Sequence, residues 1–325
     1  VFTELISFFG CKNIQVDEIY SLDQLIDISY GLIFLFKYKN EIDSRITLLP
    51  ENIPNLFFAN QVIQNACATQ AILSVLLNSP QIDLGPTLSE FKSFTLSFDS
   101  ECKGLAISNS DMIRQAHNSF ARSDPFEIDE TKAPTGKGEA YHFIAFVPFE
   151  GSVYELDGLK SGPIHIGQYS DDIPWLEIVR PAIEERIARY SASETHFNLL
   201  SIGPKKSVIL EQQINNLQER LSSLDLVLSS GEGLSSSLND GFVVADNIDT
   251  VLLQKEETSN SILELTSELE EEQRKLKRQS EENVRRKHNY LPLISRLVEV
   301  LATKGLLSEL IEKSRENSTE RESSK

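Results

Sequence analysis

No stretch of the 325-residue chain approaches the ~20 consecutive apolar residues a membrane-spanning helix needs, so no membrane role is expected. Val1-Phe2-Thr3-Glu4 has neither the basic start nor the small-residue cleavage site of a secretory signal. The sole methionine is Met112, so the natural start is expected to be missing or trimmed. Cysteine is also scarce. Cys11, Cys67 and Cys102 form an odd, unclustered set without metal-ligand spacing, which predicts a reducing compartment, no bound metal and a thiol left for chemistry. Basic side chains are in deficit, with 31 Lys and Arg against 49 Asp and Glu, for a net charge of -18. Residues 1–200 hold 14 basic and 27 acidic side chains, and residues 201–325 hold 17 and 22. Such a surface repels nucleic-acid and membrane phosphates and favours a basic protein or peptide partner.

Against these absences, 40% hydrophobic and 25% charged residues suffice for a buried core, and the length fits about two domains. Residues 1–204 read as a mixed α/β domain. Helices are expected over 3–9, 66–78, 88–98 and 109–120, with another over 174–190 interrupted at Pro181. Strands are expected over 28–38, 164–169 and 196–202, and residues 141–147 and 152–157 read as a hairpin. Between them, 121–140 combines Pro125, Pro134, Gly136 and Gly138 with Asp124, Glu127, Asp129 and Glu130, and is expected to be a mobile functional loop. Beyond Gly203-Pro204 the pattern changes. Leu210, Ile214, Leu217, Leu221, Leu224 and Leu228 make a heptad seam over 205–228 that requires a covering helix. Residues 229–240 read as a flexible linker and 241–325 as a helical docking domain, with an apolar patch over 291–310.

Cys11 and Cys102 lie beside Lys12 and Lys103 with no nearby base, and read as small semi-buried residues. Cys67 opens a helix, where unpaired N–H groups and the positive end of the helix dipole favour a thiolate. Taken alone, a cysteine at a helix start is more often structural. An acyl-transfer site also needs donors aimed at a developing oxyanion, which the Cys67 N–H and the Gln61 amide are placed to supply. Among the histidines, His142 lies in the first hairpin strand and Asp157 ends the second. A turn at Phe149-Glu150 sets them directly opposite, whereas one at Glu150-Gly151 sets them diagonally. Either arrangement suits a cysteine nucleophile, a histidine base and an orienting aspartate. His117, His165, His196 and His288 have no comparable partner.

The string Gln61-Val62-Ile63-Gln64-Asn65-Ala66-Cys67-Ala68-Thr69-Gln70-Ala71, with Tyr141-His142-Phe143 and Tyr154-Glu155-Leu156-Asp157-Gly158-Leu159, resembles the ubiquitin C-terminal hydrolase family. Leu88-Ser89-Glu90-Phe91-Lys92, Asn109-Ser110-Asp111 and Arg285-Arg286-Lys287-His288-Asn289-Tyr290-Leu291-Pro292 resemble its long, proteasome-associated branch. The resemblance implies an α/β (α+β), papain-like fold with an antiparallel central sheet flanked by helices, plus an all-helical C-terminal extension. It implies a cysteine hydrolase cleaving after the terminal glycine of ubiquitin, without a cofactor. Cys67 would be nucleophile, His142 base, Asp157 orienter and Gln61 part of the oxyanion hole. Tyr20 stands where the family has a Trp implied to touch ubiquitin. Asp124, Glu127, Glu130 and Gly136 fall in a loop implied to cross over the cleft.

The resemblance further implies that the tail docks a proteasomal ubiquitin receptor or a chromatin-remodelling subunit through Tyr290, Leu291, Leu293, Ile294, Leu297 and Leu301, placing the protein in cytoplasm and nucleus. A non-catalytic ubiquitin-binding scaffold is the alternative. The basic run from Arg274 to Lys287 reads as a solvated helix face or an import signal rather than a nucleic-acid site.

Overall fold

Leu32-Ile33-Phe34-Leu35-Phe36 is an apolar run rich in Phe and Ile that suits a strand buried on both faces. It forms β2 (Gly31–Lys37) near the middle of a six-stranded antiparallel sheet ordered β1-β6-β2-β3-β4-β5. The other strands are β1 (Ile14–Ile19), β3 (Tyr141–Phe149), β4 (Ser152–Leu156), β5 (Ile164–Gln168) and β6 (Phe197–Pro204). The computed structural model describes residues 1–24, 28–38, 45–63, 66–119, 141–191, 197–230 and 248–313. The expected loop residues Asp124, Glu127, Glu130 and Gly136, most of the 229–240 linker and His196 lie outside them.

Helices α1 (Phe2–Phe8), α2 (Cys67–Asn78), α3 (Gly85–Thr95), α4 (Ser100–Asn109), α5 (Asp111–Asn118) and α6 (Trp175–Ser191) accompany the sheet. Alternation along the strands separates two apolar layers. Leu32, Phe34, Phe36, Ile144, Phe146 and Val153 pack on Trp175, Leu176, Val179 and Ile183 of α6. Gly31 turns the other way, where a Cβ would meet the Val75 side chain of α2. Ile72, Leu73, Val75, Leu76 and Leu77 are fully buried, so α2 is a rigid beam inside the domain.

Several expectations need correction. Helix α6 runs through Pro181 without interruption, because the lost hydrogen bond is outweighed by burial of Val179 and Ile183 on either side. Helix α4 was not expected, since Gly104 and its serines blur the apolar period; Asp99, whose carboxylate accepts from the Cys102 N–H, is its start signal. Strand β1 was also missed, being a short segment with polar Gln15, Asp17 and Glu18. The hairpin turns at Glu150-Gly151, both with positive φ (45° and 78°), so Ala145 faces Leu156 and Phe149 faces Ser152. The turn at Phe149-Glu150 is thereby excluded.

Helix α7 (Lys206–Ser230) carries the heptad seam, and α8 (Ile248–Lys287) covers it. Leu210, Ile214, Leu224 and Val251 are buried, while Lys206–Glu268 and Lys255–Asp225 ion pairs fix an antiparallel course. Helix α8 is bound to β1 by a polar cluster: Gln15 Nε2 donates to Glu272 Oε1 at 2.9 Å, and Lys275 Nζ to Asp17 Oδ1 at 3.0 Å. The chain divides into two compact units. One comprises Val1–Ser119 and Lys137–Gln279, extending past the boundary expected at Pro204. The described part of the other is 280–313, with α9 (Leu291–Thr303) inside it. No described helix is long and apolar enough to cross a membrane.

Candidate active site

Cys67 is the first residue of α2, so its N–H has no acceptor within the helix and its side chain sits at the positive end of a buried dipole. Its residue surface is 9% exposed. His142, near the start of β3, and Asp157, just beyond β4, lie diagonally on one face of the sheet, and His142 Nε2 hydrogen-bonds Asp157 Oδ1 at 2.7 Å. That bond leaves Nδ1 for Cys67, which also interacts with the imidazole. Asp157 is oriented in turn by the Leu159 N–H, which donates to the same Oδ1 at 3.0 Å.

The electrostatics of the three groups are linked. Burial is the largest influence on the Cys67 thiol and works to raise its pKa, but the hydrogen bond and charge of His142, with the N–H groups of Phe143 and Ala68, hold it below its ordinary value. Burial also opposes the imidazolium of His142, yet the bonds and charges of Asp157 and Cys67 lift its pKa to about 9. Burial raises Asp157, and the His142 bond and charge, the Leu159 N–H and Lys160 overcome it and leave the carboxyl below the usual range. The arrangement favours a thiolate–imidazolium pair with a carboxylate behind it, a nucleophile charged before any substrate arrives.

Gln61 is brought beside this set through the backbone: its N–H donates to the Gly158 carbonyl at 2.8 Å, next to Asp157. The approach is tight, since a Cβ on Gly158 would fall 2.3 Å from Gln70 Nε2 and 3.1 Å from Gln61 Cβ. The Gln61 side-chain amide donates to the Ile63 carbonyl at 3.0 Å, so aiming it at an oxyanion requires exchanging that bond.

A profile described as ubiquitin carboxyl-terminal hydrolase, family 1, matches residues 1–188, and one for the C-terminal part of ubiquitin carboxyl-terminal hydrolases matches 262–307. The chain belongs to the ubiquitin carboxyl-terminal hydrolase family. Its members are cysteine-type deubiquitinases, and so is this chain. It is 44% identical to the ubiquitin carboxyl-terminal hydrolase isozyme L5 of Dictyostelium discoideum, over 99% of this chain and 94% of that one. It is 35% identical to the hydrolase ubh-4 of Caenorhabditis elegans, over 96% and 88%. The crystal structure of Trichinella spiralis UCH37 bound to ubiquitin vinyl methyl ester superposes with a TM-score of 0.54 at 32% identity, covering 81% of this chain and 94% of that one. These matches establish the papain-like hydrolase fold with its helical C-terminal part.

Sequence reasoning missed several side chains that hold the family site together. Phe36 and Tyr38 meet the His142 ring edge-on, with centroids 5.7 and 5.8 Å away. His117, read as isolated, bonds Thr69 Oγ1 at 2.8 Å, within the first turn of the Cys67 helix. The signal in sequence for the aromatic clamp is the alternation Phe34, Phe36, Tyr38, whose middle member pairs with His142. Nothing local marks His117. Tyr20 lies just past β1, 80% exposed, with its hydroxyl donating to Glu18 Oε2. In the second unit Tyr290, Leu293, Ile294 and Leu297 are exposed and Leu291 and Leu301 half-buried.

Proposed function

We propose that the chain hydrolyses the bond following the C-terminal glycine of ubiquitin, with Cys67 as nucleophile. The observation that carries this reading is the ordered set of Cys67 at the head of α2, His142 and Asp157, with the thiol pKa depressed. The thiolate attacks the glycine carbonyl carbon. As the tetrahedral adduct collapses, the imidazolium of His142 passes its proton to the departing amine and the C–N bond breaks, leaving a thioester. Neutral His142 then takes a proton from water, whose hydroxide attacks the thioester; the thiolate departs and ubiquitin leaves with a free carboxylate. The Cys67 N–H and the Gln61 amide receive the oxyanion, and Tyr20 offers an exposed aromatic face to ubiquitin.

Covalent labelling tests the reading directly. Ubiquitin vinyl methyl ester, the ligand of the related Trichinella protein, is expected to label the full chain once and to leave Cys67→Ala unlabelled. Equal labelling of the variant overturns the assignment. Gln61→Ala is expected to lower turnover of a ubiquitin C-terminal amide reporter on the order of 10-fold to 1,000-fold. An unchanged rate removes Gln61 from the oxyanion hole.

The same proposal extends to regulation and place. Leu293, Ile294, Leu297 and Leu301 recur at helical spacing on α9 and leave an apolar stripe on a helix with no buried residue. The stripe fits a helical partner, here a proteasomal ubiquitin receptor or a chromatin-remodelling subunit, in cytoplasm and nucleus. Leu297→Glu is expected to abolish co-elution with the receptor's helical domain while reporter hydrolysis stays within about two-fold, because α9 supplies none of the groups gathered around Cys67. Retained co-elution counts against docking through α9.

A further inference from the structure

The first turn of α2 begins at Ala66, whose methyl group cannot bond the free N–H groups of a helix start. The turn is tied down instead by side chains that leave it. Gln70 Nε2 donates to the Ala59 carbonyl, and Thr69 Oγ1 shares a 2.8 Å hydrogen bond with His117 Nδ1 of α5. Thr69 follows Cys67 by two residues and so lies roughly 200° round the helix from it. The bond to His117 therefore grips the turn from behind the nucleophile.

A cavity of about 250 Å³ occupies the same flank, lined by Ile63, Ala66, Thr69, Ile107 of α4, and Ile113 and His117 of α5. Contact across an open space is forfeited, so packing alone does not fix this side of the turn, and the Thr69–His117 bond spans it. Thr69 is buried, which shields the bond from water. Helix α5 is a firm post for it: Ile113 and Ala116 are buried, and the Ser110 hydroxyl caps the helix by accepting from the Ile113 N–H.

The turn also carries the donors that the chemistry uses. The Ala68 N–H reaches the Cys67 thiol, and the Cys67 N–H receives the oxyanion in the proposed reaction. A shift of about 1 Å in such groups costs on the order of 100-fold in rate. We propose that His117 is a positioning residue for the hydrolysis: through Thr69 it holds the first turn of α2 so that the Cys67 and Ala68 N–H groups stay aimed at the reacting atoms. The proposal rests on Cys67 being the nucleophile.

Steady-state turnover of a ubiquitin C-terminal amide reporter by the full chain tests it. His117→Leu and Thr69→Val each remove the bond, and each is expected to lower kcat on the order of 10-fold with KM within about two-fold. Thr69→Val keeps the side-chain shape and covers the case in which His117→Leu does not fold. His117→Asn places an amide atom where Nδ1 stood and is expected to restore kcat to within about three-fold of the parent, which a role resting on ring volume would not allow. The double variant His117→Leu/Thr69→Val should be no slower than the slower single one, since both lose the same bond. The proposal is overturned if the folded single variants match the parent, if KM rises as much as kcat falls, if His117→Asn is as slow as His117→Leu, or if the two losses add. Labelling by ubiquitin vinyl methyl ester separates this failure from that of the underlying reading. A parent chain unlabelled at Cys67 sinks both, whereas a labelled parent with unaffected variants sinks only the role of His117.

Discussion

Asp157→Asn is expected to slow turnover of a ubiquitin C-terminal amide reporter on the order of 100-fold to 10,000-fold while leaving ubiquitin affinity nearly intact. The carboxylate performs two tasks in the structure. It fixes the imidazole through the 2.7 Å bond to Nε2, so that Nδ1 faces Cys67, and its charge helps raise the His142 pKa to about 9. An asparagine keeps the shape and loses the charge. In the parent the thiolate–imidazolium pair persists from below the ordinary thiol value up to about 9. Activity should fall as pH rises through about 9, where His142 loses the proton that the leaving amine needs. In Asp157→Asn this alkaline fall should move to lower pH, because the group that holds the proton on His142 has weakened. A pH profile of kcat/KM for both proteins checks it; coincident alkaline limbs would show that Asp157 does not set the basicity of His142.

Glu155→Leu should destabilise the fold by about 3–5 kcal/mol, although Glu155 touches none of the reacting groups. Its carboxylate is fully buried and receives the Arg45 guanidinium in two bonds (2.7 and 3.0 Å) and Arg186 in a third. Arg186 is itself buried and lies over the Phe36 ring, 5.5 Å from its centre. Removing the anion strands that cation under α6 against the ring that braces His142. The midpoint of thermal unfolding should drop on the order of 10 °C for a domain of this size. Arg45→Met should cost less, since Arg45 is 31% exposed and the buried Arg186–Glu155 pair survives. Equal losses in the two variants would locate the energy elsewhere.

The fold class was legible because its evidence is local: apolar alternation in β3 and β4, the unbroken apolar run of β2, and the helical period of α2. That Cys67, His142 and Asp157 come together was legible for a similar reason, since a helix start and the pairing of two hairpin strands can be read from a few neighbouring residues. What escaped depended on distant chain. Strand β1 has little apolar content of its own and exists because β6 pairs with it. The aromatic clamp on His142 requires knowing that β2 lies beside β3. Hairpin register was left between two turns, and positive φ at Glu150 and Gly151 decided it through backbone conformation rather than hydrophobic pattern.

The strand order carries a consequence for biosynthesis. Strand β2 is flanked by β3 and β6, and β1 waits for β6, so the register from Ile14 to Pro204 cannot close until the chain has been made through Pro204. Every ladder to the first two strands spans a large sequence separation, which raises contact order and slows folding. During translation, Leu32, Ile33, Phe34, Leu35 and Phe36 emerge long before either neighbouring strand exists. Such a segment is an adhesive surface for other nascent chains. The apolar run at the centre of the finished sheet is therefore the one that the growing polypeptide, or a chaperone, must shield longest.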